Sequence, residues 1–161
     1  VGNKAYGYYA LGDLFVLLFF GFLSVMGSYY LFAKNLETNI ILPSLSIGLL
    51  SVAVINLNNM RDLVSDKVSN KITIAGKLGF ANSKKYHFLI LISSIVFSLL
   101  FILFFYYKPL SLIVIISYIP IILHLKKVYS ITKPGEYNDE LKKVAISTFL
   151  FSVIHSLIII I

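Results

Sequence analysis

The chain has 161 residues, a formal net charge of +7, and a composition that is 58% hydrophobic and only 13% charged. A soluble domain carries about twice that charged fraction, so these figures, with a mean hydropathy of +0.89, exclude one and predict an all-α, polytopic transmembrane helical bundle. There is no cysteine and no tryptophan, so disulfides are excluded and any interfacial aromatic belt rests on tyrosine. The positive charge is assigned to loops facing anionic lipid rather than to a nucleic-acid surface.

The first residues, Val1 to Asp13, read like an internal loop. They carry no initiator methionine and no signal-peptide pattern, which suggests one part of a larger protein. Leu14 to Ala33 is an apolar run long enough to cross about 30 Å of hydrocarbon. It follows Tyr6, Tyr8 and Tyr9 at interface depth, and Asp13 at its entry reads as a helix cap. Gly21, Gly27 and Ser28 allow close helix packing. Ile40 to Leu57 is the second span, and nothing in its sequence breaks the helix before Asp66.

A polar segment from Arg61 to Lys85 comes next. Thr73 to Leu78 reads as a short helix stopped by Gly79, with Asn82 or Ser83 capping the next helix. Tyr86 to Tyr106 is the third span, and His87 near its start reads as an interfacial hydrogen-bonding anchor. The fourth span runs from Pro109 to Leu125. After a second polar loop with a Pro134-Gly135 turn, Val144 to Ile161 is the fifth, and His155 inside it reads as bonded to a neighbouring helix. The expected helices are about five: 14–33, 40–66, 84–107, 109–127 and 141–161.

Charge sets the expected topology. With the 61–85 loop on the cytoplasmic side, only Lys34 and Lys108 of the 14 lysines and arginines fall on the other side. That is a strong positive-inside asymmetry.

The chemistry concentrates at Asn58-Asn59-Met60-Arg61-Asp62-Leu63-Val64-Ser65-Asp66-Lys67. On a continuous helix, Asn59, Asp62 and Asp66 lie within about 60° of one another. Two carboxylates four residues apart repel, and a cation relieves that cost. Hard oxygen ligands suit Mg²⁺, which keeps substrate phosphates among its other ligands. Arg61, Lys67 and Lys71 stand near enough to neutralise such an anion, with Arg61 about 160° from Asn59 around the helix. The bland alternative is a solvated helix end ion-paired to Arg61 and Lys67. Also open are an ion-coupled transporter half-module using the aspartate pair, and a purely structural membrane subunit.

Asp62-Leu63-Val64-Ser65-Asp66 followed by Thr73-Ile74-Ala75-Gly76-Lys77-Leu78-Gly79 resembles the second aspartate-rich motif of the UbiA superfamily of membrane aromatic prenyltransferases. Tyr6-Gly7-Tyr8, Leu11-Gly12-Asp13, Phe19-Phe20-Gly21, Ser24-Val25-Met26-Gly27-Ser28, Asn56 to Asp62 and Lys84-Lys85-Tyr86-His87 are similar to the branch acting on 1,4-dihydroxy-2-naphthoate in menaquinone biosynthesis. Beyond residue 100 the likeness is one of hydropathy only. The resemblance implies that residues 1–161 are the C-terminal part, helices five to nine, of one nine-helix prenyltransferase domain in the cell inner membrane. The partner half, with the first aspartate-rich motif, has no counterpart in this chain. The implied reaction is Mg²⁺-dependent transfer of a polyprenyl group from polyprenyl diphosphate to the aromatic acceptor, giving demethylmenaquinone. Asp62 and Asp66 would be the catalytic metal pair with Asn59 as a supporting ligand. Arg61, Lys67 and Lys71 would meet the diphosphate, and Tyr8 would contact substrate. Asn70 replaces a glycine common in the motif turn, and asparagine tolerates the left-handed backbone needed there.

Overall fold

The computed structural model describes residues 9–107 and 109–160, and all the regular structure it holds is helical. We number the helices α1 (Gly12–Ala33), α2 (Ile41–Arg61), α3 (Leu63–Val68), α4 (Ile74–Phe105), α5 (Val114–Ser130) and α6 (Tyr137–Ile160). Among the described residues four helical stretches are long and apolar enough to cross a membrane: Gly12–Ala33, Thr38–Arg61, Ile74–Phe105 and Ser111–Ser130. The expected fifth span falls on α6, whose first two turns are polar.

Helix α2 is the centre of the bundle, packed on α1, α4 and α6. Its inward face, Leu50, Val52, Ala53, Leu57 and Met60, is at most 2% exposed. The outer faces of α1, α4 and α5 present Phe19, Leu23, Phe32, Phe104 and Ile116 to the surroundings. Lipid solvates such side chains without cost, whereas backbone groups at that depth must bond within their own helix.

Three devices set the packing. Helix α1 is π-helical from Leu17 to Met26 and meets α2 glycine to glycine. A Cβ on Gly21 would lie 2.7 Å from the Ser44 carbonyl oxygen and 2.9 Å from Gly48 Cα, so neither helix can give way. Gly21 therefore does what its sequence context suggested, but its partner is Gly48 rather than a second small residue on its own helix. Between α2 and α4, two buried serines clasp each other's backbone: Ser46 Oγ donates to the Ser94 carbonyl at 2.9 Å, and Ser94 Oγ to that of Ser46 at 2.8 Å. Deeper in the bundle Ser98 of α4 bonds Tyr118 Oη at 2.7 Å and His155 Nδ1 at 3.3 Å, the neighbour-helix bond expected for His155.

The segment after α2 differs from the continuous helix expected over 40–66. The helix is interrupted at Asp62 (φ −94°, ψ 10°), so Asp62 is a hinge between α2 and α3. Aspartate and serine side chains compete with the backbone for its hydrogen bonds, and Ser65 Oγ takes the Asp62 carbonyl at 3.0 Å. The turn after α3 carries Asn70 at φ 54°, the left-handed conformation expected of it. Thr73 caps α4 through Oγ1, which accepts from Gly76 N at 2.9 Å. Gly79 (φ 72°, ψ 170°) then breaks the helix as predicted. Neither Asn82 nor Ser83 acts as the expected cap: the helix resumes directly after Gly79, and Ser83 Oγ bonds back to the carbonyls of Gly79 at 2.7 Å and Ala75 at 3.1 Å. The short helix expected before Gly79 is thus present from Ile74, and the third span's helix resumes at Phe80, four residues before the expected 84.

The glycine crossing yields a stability test. Gly21→Ala forces apart two backbones and should destabilise the bundle by about 1–3 kcal/mol. Gly135→Ala, where an added Cβ meets nothing within 4 Å, should have little effect in the same detergent thermal melts.

Candidate active site

The end of α2, the short helix α3 and the cap of α4 surround two spaces that share Lys71, Ile72 and Thr73 in their walls. One, of about 150 Å³, is lined by Asp13, Asn58, Asn59, Lys71 and Thr73 among others. The other, of about 650 Å³, is lined by Asp66, Lys67, Lys71, Thr73 and Lys77 with the apolar residues of α3. Lys71 belongs to both. Its ammonium donates to both oxygens of Asp66, at 3.1 and 3.0 Å, and the Lys71 N–H donates to the Asp66 carbonyl at 2.9 Å. The left-handed turn at Asn70 makes this return possible. Asp66 is 8% exposed and Asn59 3%.

Asp62 is held differently. Arg61 grips it with a fork, Nε to Oδ1 and Nη2 to Oδ2, both at 2.8 Å. The same guanidinium donates to Asn58 Oδ1 at 2.7 Å and to Asn138 Oδ1 of α6 at 3.2 Å. On the continuous helix Arg61 stands about 160° from Asn59 and is the weakest of the three cationic candidates for a diphosphate; it lines neither space. Its pairing with Asp62 is the one expected of the ion-paired helix end. The Arg61 hydrogen bonds hold the Asp62 carboxyl below the usual aspartate range, outweighing its partial desolvation.

The structure thus places Asn59 in the wall of the smaller space, Asp66 and Lys67 in that of the larger and Lys71 in both, and turns Asp62 toward Arg61. Asp66 is paired with Lys71 rather than with Lys67, the partner of the solvated-helix alternative. Tyr8 lies outside the described residues. Asp13 reads from the sequence as a cap, yet no side-chain bond caps α1. Asp13 is 5% exposed, accepts from Tyr86 Oη at 3.0 Å and stands in the wall opposite Asn59. Its distance from the motif in sequence hid that role, and a carboxylate at the start of an apolar span was the available signal.

Carboxylate and carboxamide oxygens are the right donors for a hard cation. Among the described residues no group of three or more His, Asp or Glu is placed to hold a metal. Two carboxylates fit Mg²⁺ when phosphate oxygens complete the shell, so the donor set suits a metal that arrives with a diphosphate.

The Asp62 pair sets a pH dependence. A carboxyl depressed in the folded state adds stability above its unfolded pKa of about 3.9, and that contribution is lost as pH falls through the lower folded value. Arg61→Gln should therefore lower the melting temperature at pH 7, and by progressively less as pH falls below about 3.9 and through the lower folded value.

Residues 4–153 match the UbiA prenyltransferase family. Similar proteins include the 1,4-dihydroxy-2-naphthoate octaprenyltransferase of Escherichia coli, 51% identical over 104 residues, covering 65% of this chain and 34% of the relative. The enzyme of the same name from Haemophilus influenzae is 34% identical over 157 residues, covering 98% of this chain and 51% of the relative. Human UbiA prenyltransferase domain-containing protein 1 is 33% identical over 100 residues, 62% of this chain and 30% of that protein. The chain thus spans about half or less of the length of these relatives. No solved structure matches it. With the family match running through every described helix, and the aspartate motif placed at a cavity mouth, the chain belongs to the UbiA prenyltransferase family of multi-pass membrane proteins.

Proposed function

We propose that this chain supplies the second aspartate-rich motif of an enzyme that transfers a polyprenyl group from its diphosphate to 1,4-dihydroxy-2-naphthoate, in menaquinone biosynthesis. The observation that carries the reading is the family match over residues 4–153, together with relatives bearing that enzyme's name. The donor chemistry supports it: Asp66 and Asn59 line adjoining spaces. Asp62, held by Arg61, would have to turn to join them in holding Mg²⁺, and the bound metal would supply Lewis-acid stabilisation of charge on the departing diphosphate.

The chain's own residues do the rest. Lys71 and Arg61 already touch the motif carboxylates, so each brings a positive charge to the place where diphosphate oxygens would lie. Lys67 and Lys77 add charge to the wall of the larger space. These fixed cations stabilise negative charge developing on the leaving group as the allylic C–O bond breaks. A groove of about 700 Å³ between α1, α2 and α6, walled by Val16, Phe20, Val54 and Ile55 with Asn58 and Lys142 at its polar side, suits an isoprenoid chain. The electron-rich acceptor ring then captures the allylic carbon and loses its carboxyl group as CO₂.

We place the motif on the cytoplasmic side of the inner membrane. The absence of native cysteine makes this directly testable. A Ser69→Cys protein should react with a membrane-impermeant maleimide in inverted vesicles and not in intact cells, and the opposite pattern would reject the topology.

Catalysis is proposed to need the upstream helices with their own aspartate motif. The 161-residue chain alone should transfer no prenyl group in detergent with Mg²⁺ present. The full-length protein should, and Asp62→Asn or Asp66→Asn in it should cut turnover by at least about 100-fold, since a leaving group misplaced by about 1 Å costs that much. Full turnover by both variants would refute the assigned roles.

A further inference from the structure

The bundle also buries a run of polar side chains that the proposed reaction does not use. Lys143, with a 63% exposed side chain, donates to Glu140 Oε1 at 2.6 Å. Glu140 Oε2 lies 2.6 Å from His124 Nδ1. His124 Nε2 lies 2.8 Å from His87 Nε2. His87 Nδ1 lies 3.4 Å from Asn56 Nδ2, which also reaches the Ser83 carbonyl at 3.4 Å. Glu140, His124, His87 and Asn56 are each at most 2% exposed. The run crosses α6, α5, α4 and α2 and ends one helical turn before Asn59.

With both rings neutral, one order of donors and acceptors satisfies this run. A carbonyl only accepts, so the Asn56 atom beside Ser83 is the amide nitrogen. That nitrogen also faces His87 Nδ1, which must therefore be bare, with the His87 proton on Nε2. This proton is given to His124 Nε2, so His124 carries its own on Nδ1. There it meets the Glu140 carboxylate, which only accepts and is charge-balanced by Lys143. The reverse order would set His87 Nδ1–H against Asn56 N–H, two donors face to face where both residues are fully buried. Asn56 Oδ1 has no partner, so the amide is held from its nitrogen side alone.

We infer that Glu140, His124 and His87 are positioning residues: a one-way hydrogen-bond relay that fixes Asn56 and, through it, the end of α2 bearing Asn59 and Asp62. The relay itself stands on the geometry above, and its consequence for ligand binding rests on the proposed diphosphate site.

Nitrogen-15 NMR of histidine-labelled full-length protein in detergent reads the relay directly, with His87 and His124 assigned by single substitution. The expected spectrum has His124 protonated at Nδ1 and His87 at Nε2, both neutral. His87 protonated at Nδ1, or either ring doubly protonated, would overturn the relay. Calorimetric titration with Mg²⁺ and inorganic pyrophosphate reads its consequence. Glutamine keeps an acceptor and a donor, so His124→Gln should bind within about threefold of the native protein. His124→Leu should bind at least about tenfold more weakly, the scale on which orienting partners of metal ligands act. If the ring served only as packing, leucine would do as well as or better than glutamine, and that result would overturn the positioning role. A native protein that binds no pyrophosphate, with the expected tautomers, would instead reject the diphosphate site and the positioning role together while leaving the relay standing.

Discussion

Polar groups drawn into this bundle must find their partners inside it, and that constraint organises most of what is specific about the structure. In hydrocarbon an unpaired donor or acceptor has no water to fall back on. The apolar contacts cannot supply specificity of this kind, because lipid solvates a leucine as well as another leucine does. The register of α2 against α4 is instead fixed by Ser46 and Ser94, which exchange hydroxyl-to-carbonyl bonds. Helices α4, α5 and α6 are tied by Ser98, Tyr118 and His155. Lys84 reaches the carbonyls of Tyr129 and Ile131 at the end of α5, where a cation also meets the negative end of the helix dipole.

Helix α2 gains most from this arrangement. It is clasped by serine in its middle, pressed to α1 through Gly21 and Gly48, and held at its polar end by Asn56 and Arg61. Each of these fixes a different degree of freedom: register, separation and rotation. The motif residues emerge from the most constrained helix of the bundle. The proposed diphosphate site would need such a base. The segment after the hinge is tied down differently, by one ion pair between Lys71 and Asp66 and one side-chain cap at Thr73.

The pairing of Asp62 with Arg61 and of Asp66 with Lys71 also answers an electrostatic problem. Two half-buried carboxylates near a low-dielectric region repel each other and carry a desolvation cost. Giving each its own cation offsets both costs in part.

Much of this was legible in the linear chain. Composition required a membrane bundle, since no soluble core could bury so much apolar surface with so few charges. Local rules also held where the structure depends only on neighbours: Asn70 at positive φ, the helix opened by Thr73 and stopped by Gly79. The aspartate motif could be located by its residue types and spacing. Other features depended on contacts that one-dimensional periodicity does not encode. The hinge at Asp62 arises where side-chain bonds compete with an otherwise acceptable helix, so a projection at 100° per residue grouped Asp62 with Asn59 and Asp66, whereas its carboxylate turns to Arg61. Asp13 joins the motif wall from 49 residues away because α1 crosses α2 at Gly21. His87 looked like a lone interfacial anchor because its partners, His124 and Glu140, stand on other helices. Burial pairs such groups across the bundle, and only the tertiary structure could say with whom.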